Sequence, residues 1–182
     1  MSALVLTLVT GNEGKLEEWQ RLVPAEFALE NIKLDLDELQ SFDVDQIVEA
    51  KVRAAYEAIG KPVVVDDVSA GLESLKGLPG PFIKYFEERL GQDALYRLAG
   101  TDKRATVQCT IGYFDGSQLL LAHGRVNGKV VLRRGERLFG FDCVFVPNGQ
   151  TKTYAEMTGP QKDAVSHRGL AVRDLLTQLK EL

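Results

Sequence analysis

The stretch Val63-Val64-Val65-Asp66-Asp67-Val68-Ser69 sets two adjacent carboxylates at the end of a β-branched apolar run. The run reads as a short buried strand over 63–67, and taking two charges out of water at its tip is costly. A bound cation, or a proton to be abstracted, offsets that cost. Neighbouring strand residues point to opposite faces, so the two carboxylates are expected to do different jobs. Downstream, Gly77-Leu78-Pro79-Gly80-Pro81-Phe82-Ile83-Lys84 is a stiff turn that delivers a lysine. Acids at a strand end, then a rigid loop carrying a base, suit a site for a metal and an anion. A charged strand end followed by an ordinary loop is the competing reading.

A second group lies at Thr10-Gly11-Asn12-Glu13-Gly14-Lys15, between an apolar run and a helical pattern. Backbone N–H groups at such a helix start point outward, and the helix dipole favours an anion there. Lys15 adds a full positive charge. The loop is not a Walker A motif: Val9 stands where the first glycine belongs, and Leu16 replaces the hydroxyl that would hold magnesium. A plain strand-to-helix turn with a surface lysine is the alternative. Lys51, near the apolar stripe of a later helix, either snorkels from the stripe's edge or reaches into a cleft.

Phe139-Gly140-Phe141-Asp142 pairs two aromatics with a carboxylate. Aromatic faces can hold a flat ring, and Asp142 can accept from ring N–H groups; an aromatic core corner with a turn aspartate is the other reading. Lys162 and Ser166-His167-Arg168 bring cations close to the last helix and could surround a phosphate or carbonyl oxygen. A Ser-His nucleophile is disfavoured, because adjacent residues rarely face one another.

The elements that must position these groups follow from pattern. Leu4 to Val9 reads as the first strand. Leu16 onward reads as a helix with Leu16, Trp19, Leu22 and Val23 on one face. Phe27 to Leu36 reads as a second strand, with Asp35, Asp37 and Glu38 at its end. Asp43 caps a helix whose stripe runs Val44, Ile47, Val48, Val52, Ala55 and Ile59, with Gln46 at the capping-box position; Gly60 and Pro62 stop it. Strand, helix, strand in this order implies a parallel crossover. Phe82 to Leu90 and Asp93 to Leu98 look helical. Arg104 to Phe114 is a strand, Asp115-Gly116 a hairpin turn, Gln118 to Val126 its return, and Asn127-Gly128 a second turn before Lys129 to Leu132. Leu170 to Leu179 forms a closing helix. The expected class is α/β: a mixed sheet flanked by helices.

The chain has 182 residues, 45% of them hydrophobic, enough for one domain with a full core. A formal net charge of -4 gives no support for general nucleic-acid binding. No apolar run approaches the roughly 20 residues of a membrane helix, and the start lacks the pattern of a signal peptide. Cys109 and Cys143 form no metal-ligand pattern; reduced thiols in a cytosolic protein are the expectation.

Taken together and in order, these motifs resemble the inosine triphosphate pyrophosphatase (Ham1-like) family over nearly the whole chain. The resemblance rests on Thr10-Gly11-Asn12 with Lys15, Glu38 ahead of the helix bearing Lys51, Asp66-Asp67, Phe139 to Asp142 and Ser166-His167-Arg168. Its most specific piece is Gly77 to Lys84. It implies a long mixed sheet with a cleft between two lobes in one domain, 1–182, a cytoplasmic homodimer, and no membrane or stable nucleic-acid partner. It implies hydrolysis of non-standard purine nucleoside triphosphates (ITP, dITP, XTP) to the monophosphate and pyrophosphate with Mg²⁺.

Residue by residue, Thr10, Gly11, Asn12, Glu13, Gly14 and Lys15 match the triphosphate loop. Glu38 matches a metal ligand, and Asp67 a proton acceptor or metal ligand. Lys51, Val68 and Lys84 match substrate-facing positions. Phe139, Gly140, Phe141, Asp142, Lys162, His167 and Arg168 match base-binding positions. Two residues depart from the pattern. Val68 stands where the family usually has Thr or Ser, and Cys143 where Pro usually follows the aromatic-loop aspartate. Both bear on rate and preference more than on reaction class. A purine-nucleotide-binding protein without efficient turnover is the competing expectation, and a non-catalytic α/β dimer a third.

Overall fold

The computed structural model describes residues 4–136 and 139–182. The first strand, β1 (Leu4–Val9), leads through the 10–12 loop into α1 (Glu13–Leu22) and returns as β2 (Phe27–Ile32). Helix α1 starts before the apolar stripe because Asn12 caps it, its side chain accepting the Lys15 N–H at 3.0 Å. Strand β2 was expected to reach Leu36 but stops at Ile32. Among the described residues it pairs only with β1, whose last residue Val9 lies opposite Ile32, so β1 offers no strand partner to residues 33–36. The irregular segment that follows carries Glu38.

Helix α2 (Val44–Ile59) is capped by Asp43, which accepts from the Asp45 N–H at 3.0 Å. The expected capping box with Gln46 does not form; the Gln46 side chain meets Ser41 Oγ at 3.3 Å instead. Gly60, with a φ of 74°, ends the helix in the left-handed region. Strand β3 (Val63–Leu72) outruns its apolar start, because antiparallel pairing with β5 (Arg104–Phe114) continues to Leu72 opposite Ala105. Between them lie β4 (Pro79–Gly80), α3 (Ile83–Leu90) and α4 (Ala94–Leu98). The return strand β6 (Leu119–Val130) is unbroken, so Asn127-Gly128 is not a turn. Asn127 accepts from the Thr106 hydroxyl at 3.0 Å across the ladder. Gly128 lies where β7 (Phe145–Pro147) crosses, and an added Cβ would stand 2.3 Å from the Val146 carbonyl oxygen. The glycine answers a close approach, not a bend. Helices α5 (Gly159–Val165) and α6 (His167–Lys180) finish the chain.

The sheet order is β2-β1-β3-β5-β6-β7, with β4 on β3. Strands β2, β1 and β3 are parallel and the rest antiparallel, the mixed sheet expected. Helix α2 packs Val48, Val52 and Ala55 against Val9, Val63 and Val65 on one face. Helices α1 and α6 cover the other, with Trp19, Val172 and Leu175 against Leu6, Val64 and Ile111. A third cluster gathers Ala70, Leu72, Val107 and Val130 at the far ends of the same long strands, under Leu95, Phe141, Phe145 and Tyr154. Fully burying a side chain as large as Trp19 contributes about 3 kcal/mol, so the clusters fix where β3 passes between them. Among the described residues no helix is long and apolar enough to cross a membrane.

Candidate active site

Asp66 and Asp67 sit where β3 leaves one core cluster for the next, and their side chains diverge as strand geometry requires. Asp66 turns toward α1 and α6. Its Oδ1 lies 2.8 Å from Lys15 Nζ, and its Oδ2 accepts from Arg168 Nε at 2.7 Å and from Trp19 Nε1 at 3.3 Å. Arg168 also pairs with Glu18, Glu18 with Lys162 at 2.6 Å, and Lys162 with Asp142. Six side chains from α1, β3, the 140–143 turn, α5 and α6 thus alternate in sign. Glu18, Asp66, Asp142, Lys162 and Arg168 are all at most 3% exposed. Buried charges persist only when paired in this way.

Burial raises the pKa of Asp66 and Glu18, but the neighbouring cations outweigh it. Lys15 and Arg168 hold Asp66 well below the usual carboxylate range, and Arg168 and Lys162 bring Glu18 down to about 2. Lys15 loses to burial and gains more from Asp66 and Asp67, so its ammonium is held above the ordinary lysine value.

Asp67 faces the opposite way, into a cleft made of two adjoining cavities. The larger, about 580 Å³, is walled by Thr10, Gly11, Asn12, Lys15, Glu38, Lys51, Asp67, Val68 and Lys84. The smaller, about 180 Å³, shares Asn12, Lys15, Asp67, Val68 and Lys84 and adds Glu87, Phe139, Gly140, Phe141, Asp142, His167 and Arg168. Burial raises the Asp67 pKa; Lys15 and Lys51 oppose this and Glu38 and Asp66 add to it, leaving the carboxyl above the usual aspartate value. Glu38 pairs with Lys51 at 2.6 Å. Burial pushes its pKa up, but the bond and charge of Lys51 prevail and hold it below the ordinary value.

The first cavity is lined by four carboxylates, Asp35, Glu38, Asp66 and Asp67, and four lysines, Lys15, Lys33, Lys51 and Lys84, a donor set for a divalent cation together with phosphates. Among the described residues no three His, Cys, Asp or Glu side chains gather as a ligand group. The carboxylates of Glu38 and Asp67, with room for water and phosphate beside them, suit a divalent cation that keeps part of its hydration.

The second cavity is aromatic. The His167 ring lies 5.6 Å from Phe141 and 5.8 Å from Tyr154. Burial, then Arg168 and Lys162, hold its pKa well below the usual histidine value, so the imidazole is neutral. Its Nδ1 has no hydrogen-bond partner among the described residues. Ser166 caps α6 by accepting the Gly169 N–H at 3.0 Å, which confines the hydroxyl to a structural bond. Gly124 on β6 lets α6 come down: an added Cβ would stand 1.9 Å from the His167 carbonyl oxygen.

Of the residues expected at a site, most line this cleft. Glu13 does not; it is exposed and lies 3.7 Å from Lys33. Gly14 sits against the edge of the Phe139 ring. Lys162 does not line the cavity; it is buried, 5.1 Å from the Phe139 ring centroid and paired with Asp142, both of which do. Cys143 is buried, its thiol 3.8 Å from the Gln92 carbonyl oxygen. Sequence reasoning missed Glu18 and Glu87. Glu18 was legible in spacing, since Lys15, Glu18, Trp19 and Leu22 fall at i, i+3, i+4 and i+7 on one helical face. Glu87, in a stretch of charged residues, gave no such sign.

Residues 6–178 match the sequence model of the Ham1 family. The chain is 43% identical over 181 residues to an inosine triphosphate pyrophosphatase of Yarrowia lipolytica, covering 97% of this chain and 96% of that one. It is 38% identical over 182 residues to one of Schizosaccharomyces pombe, covering 96% of each. A HAM1 protein from Coxiella burnetii superposes with a TM-score of 0.82 at 27% identity, over 98% of this chain and 100% of that one. The Staphylococcus aureus Ham1 protein gives 0.81 at 27% identity, over 97% and 98%.

Proposed function

The chain belongs to the Ham1 family, and on that premise we propose that it is a nucleoside triphosphate pyrophosphatase, hydrolysing ITP, dITP and XTP to the monophosphate and pyrophosphate. The observation that carries this reading is the position of Asp67. It stands in the wall shared by a lysine-and-carboxylate cavity and an aromatic one, where an α-phosphate bridging base and leaving group would lie.

The aromatic cavity takes the purine, with Phe139 and Phe141 against its faces. Lys15, Lys51 and Lys84 take the phosphates. Asp67 accepts a proton from the attacking water; a carboxyl held above its usual pKa is a stronger base for that task. Glu38 and Asp67 would hold Mg²⁺, which when bound offsets the charge developing on the pyrophosphate. Lys15 adds a fixed positive charge to the same end. Arg168 and neutral His167 aim donors at the 6-oxo group of hypoxanthine, where adenine presents an amino donor instead. The buried alternating charges fix Arg168 from behind, so its orientation does not depend on substrate. The reading includes one domain of two lobes, a homodimer and a cytoplasmic setting. Cys109 and Cys143 are free thiols, in keeping with a reducing compartment.

The test is incubation with ITP and Mg²⁺, assayed for IMP and pyrophosphate. Wild-type protein is expected to release both, and Asp67→Asn to lose about a hundredfold or more in kcat. Equal turnover by the variant removes Asp67 from the chemistry. IMP binding without wild-type turnover makes the protein a nucleotide binder.

A further inference from the structure

Glu87, on α3, projects into the aromatic cavity. Its Oε1 is shielded from water and has no hydrogen-bond partner among the described residues. An orphaned buried carboxylate oxygen is expensive, and α3 offers nothing in return. An ideal Cβ built on Gly140 would stand 3.5 Å from this oxygen, which places it at the turn holding Phe139, Phe141 and Asp142. The charged and titratable groups around it are Asp142 on that turn, Glu88 and Lys84 on its own helix, and Lys15, Asp67, Arg168 and the neutral His167 on the other cavity walls. Burial, then Asp142 and Glu88, push its pKa up to about 7.

We propose that Glu87 is a specificity-determining residue, its free oxygen accepting the ring N–H of a 6-oxopurine. That donor separates the 6-oxopurines from adenine, whose N1 carries a lone pair in the same place. An ionised carboxylate faces a donor in hypoxanthine and a lone pair in adenine, so one contact both attracts and rejects. Arg168 and His167 read the oxygen at position 6; Glu87 reads the adjacent ring nitrogen. Guanine carries the same ring N–H, so this contact does not separate ITP from GTP. When the carboxyl is protonated its O–H can donate to adenine, and the discrimination weakens.

The inference rests on the cleft being a 6-oxopurine site, and the experiment keeps the two apart. The ratio of kcat/KM for ITP over ATP is measured with Mg²⁺ for wild type, Glu87→Gln and Glu87→Leu, above and below pH 7. Glu87→Leu is expected to lower kcat/KM for ITP by about ten- to hundredfold without lowering that for ATP. Both variants retain the wild-type melting temperature or exceed it, because an unpaired buried carboxyl is removed. The wild-type ratio falls as pH drops through 7, while the Glu87→Gln ratio stays flat; titration of Asp67 affects both substrates and cancels. An unchanged ratio in both variants, with wild type turning over ITP, overturns the role of Glu87 alone. If wild type does not turn over ITP, calorimetric affinities for IMP and AMP decide. A variant that weakens IMP selectively keeps the role, and equal affinities in wild type and variant end it.

Discussion

Burial presses on Asp66 and Asp67 alike, yet their carboxyls move in opposite directions. Asp66 has two cations within 2.8 Å, and Coulomb attraction at that range exceeds the desolvation it opposes. Asp67 has its lysines at arm's length and two other acids for company. The same arithmetic governs Glu18, with a pKa near 2 in the fold against 4.5 for the free side chain. A folded-state value below the unfolded one contributes stability that is complete above the unfolded value and drains as pH falls toward the folded one. Glu18→Gln is therefore expected to cost about 3 kcal/mol at neutral pH. It should also show a shallower loss of melting temperature than wild type between pH 4.5 and 2. Parallel acid limbs in the two proteins would remove Glu18 from the acid response.

Among the elements, α6 matters most to the cleft, because its first turn carries His167 and Arg168. Gly124 sets its height over the sheet. Gly124→Val is expected to cost about 1–3 kcal/mol in denaturant unfolding and, on the proposed function, to raise KM for ITP by lifting His167 and Arg168. An unchanged KM would mean that the helix shifts without disturbing the cavity. Most elements were readable in the sequence, since amphipathic stripes, the Asp43 cap and the Asp115-Gly116 turn are local signals; the Asn12 cap was passed over, and α1 starts three residues before the expected Leu16. Asn127-Gly128 misled because its dipeptide chemistry is that of a turn, and only the crossing of β7 shows why a glycine stands inside a strand. The cleft's cations and acids were legible as an ordered set of motifs. What joins them was not: Glu18 and Lys162 act through partners 144 positions apart, and no local pattern encodes that pairing.

Across the whole molecule, three apolar clusters share one sheet. Strand β3 carries Val64 in one cluster and Ala70 in another, and β5 carries Ile111 and Val107. The charged groups of the cleft lie over the crossing, so both halves of the site are hung from the same uninterrupted backbone. A molecule sewn together this way has no seam along which to come apart by halves. Scanning calorimetry on the metal-free protein should give a single endotherm, with calorimetric and van't Hoff enthalpies in agreement, whereas two resolved peaks would mean that the clusters melt independently. With a single endotherm, loss of the aromatic cavity and loss of the lysine-and-carboxylate cavity are one event, and no partly melted form would keep a grip on one end of a bound molecule.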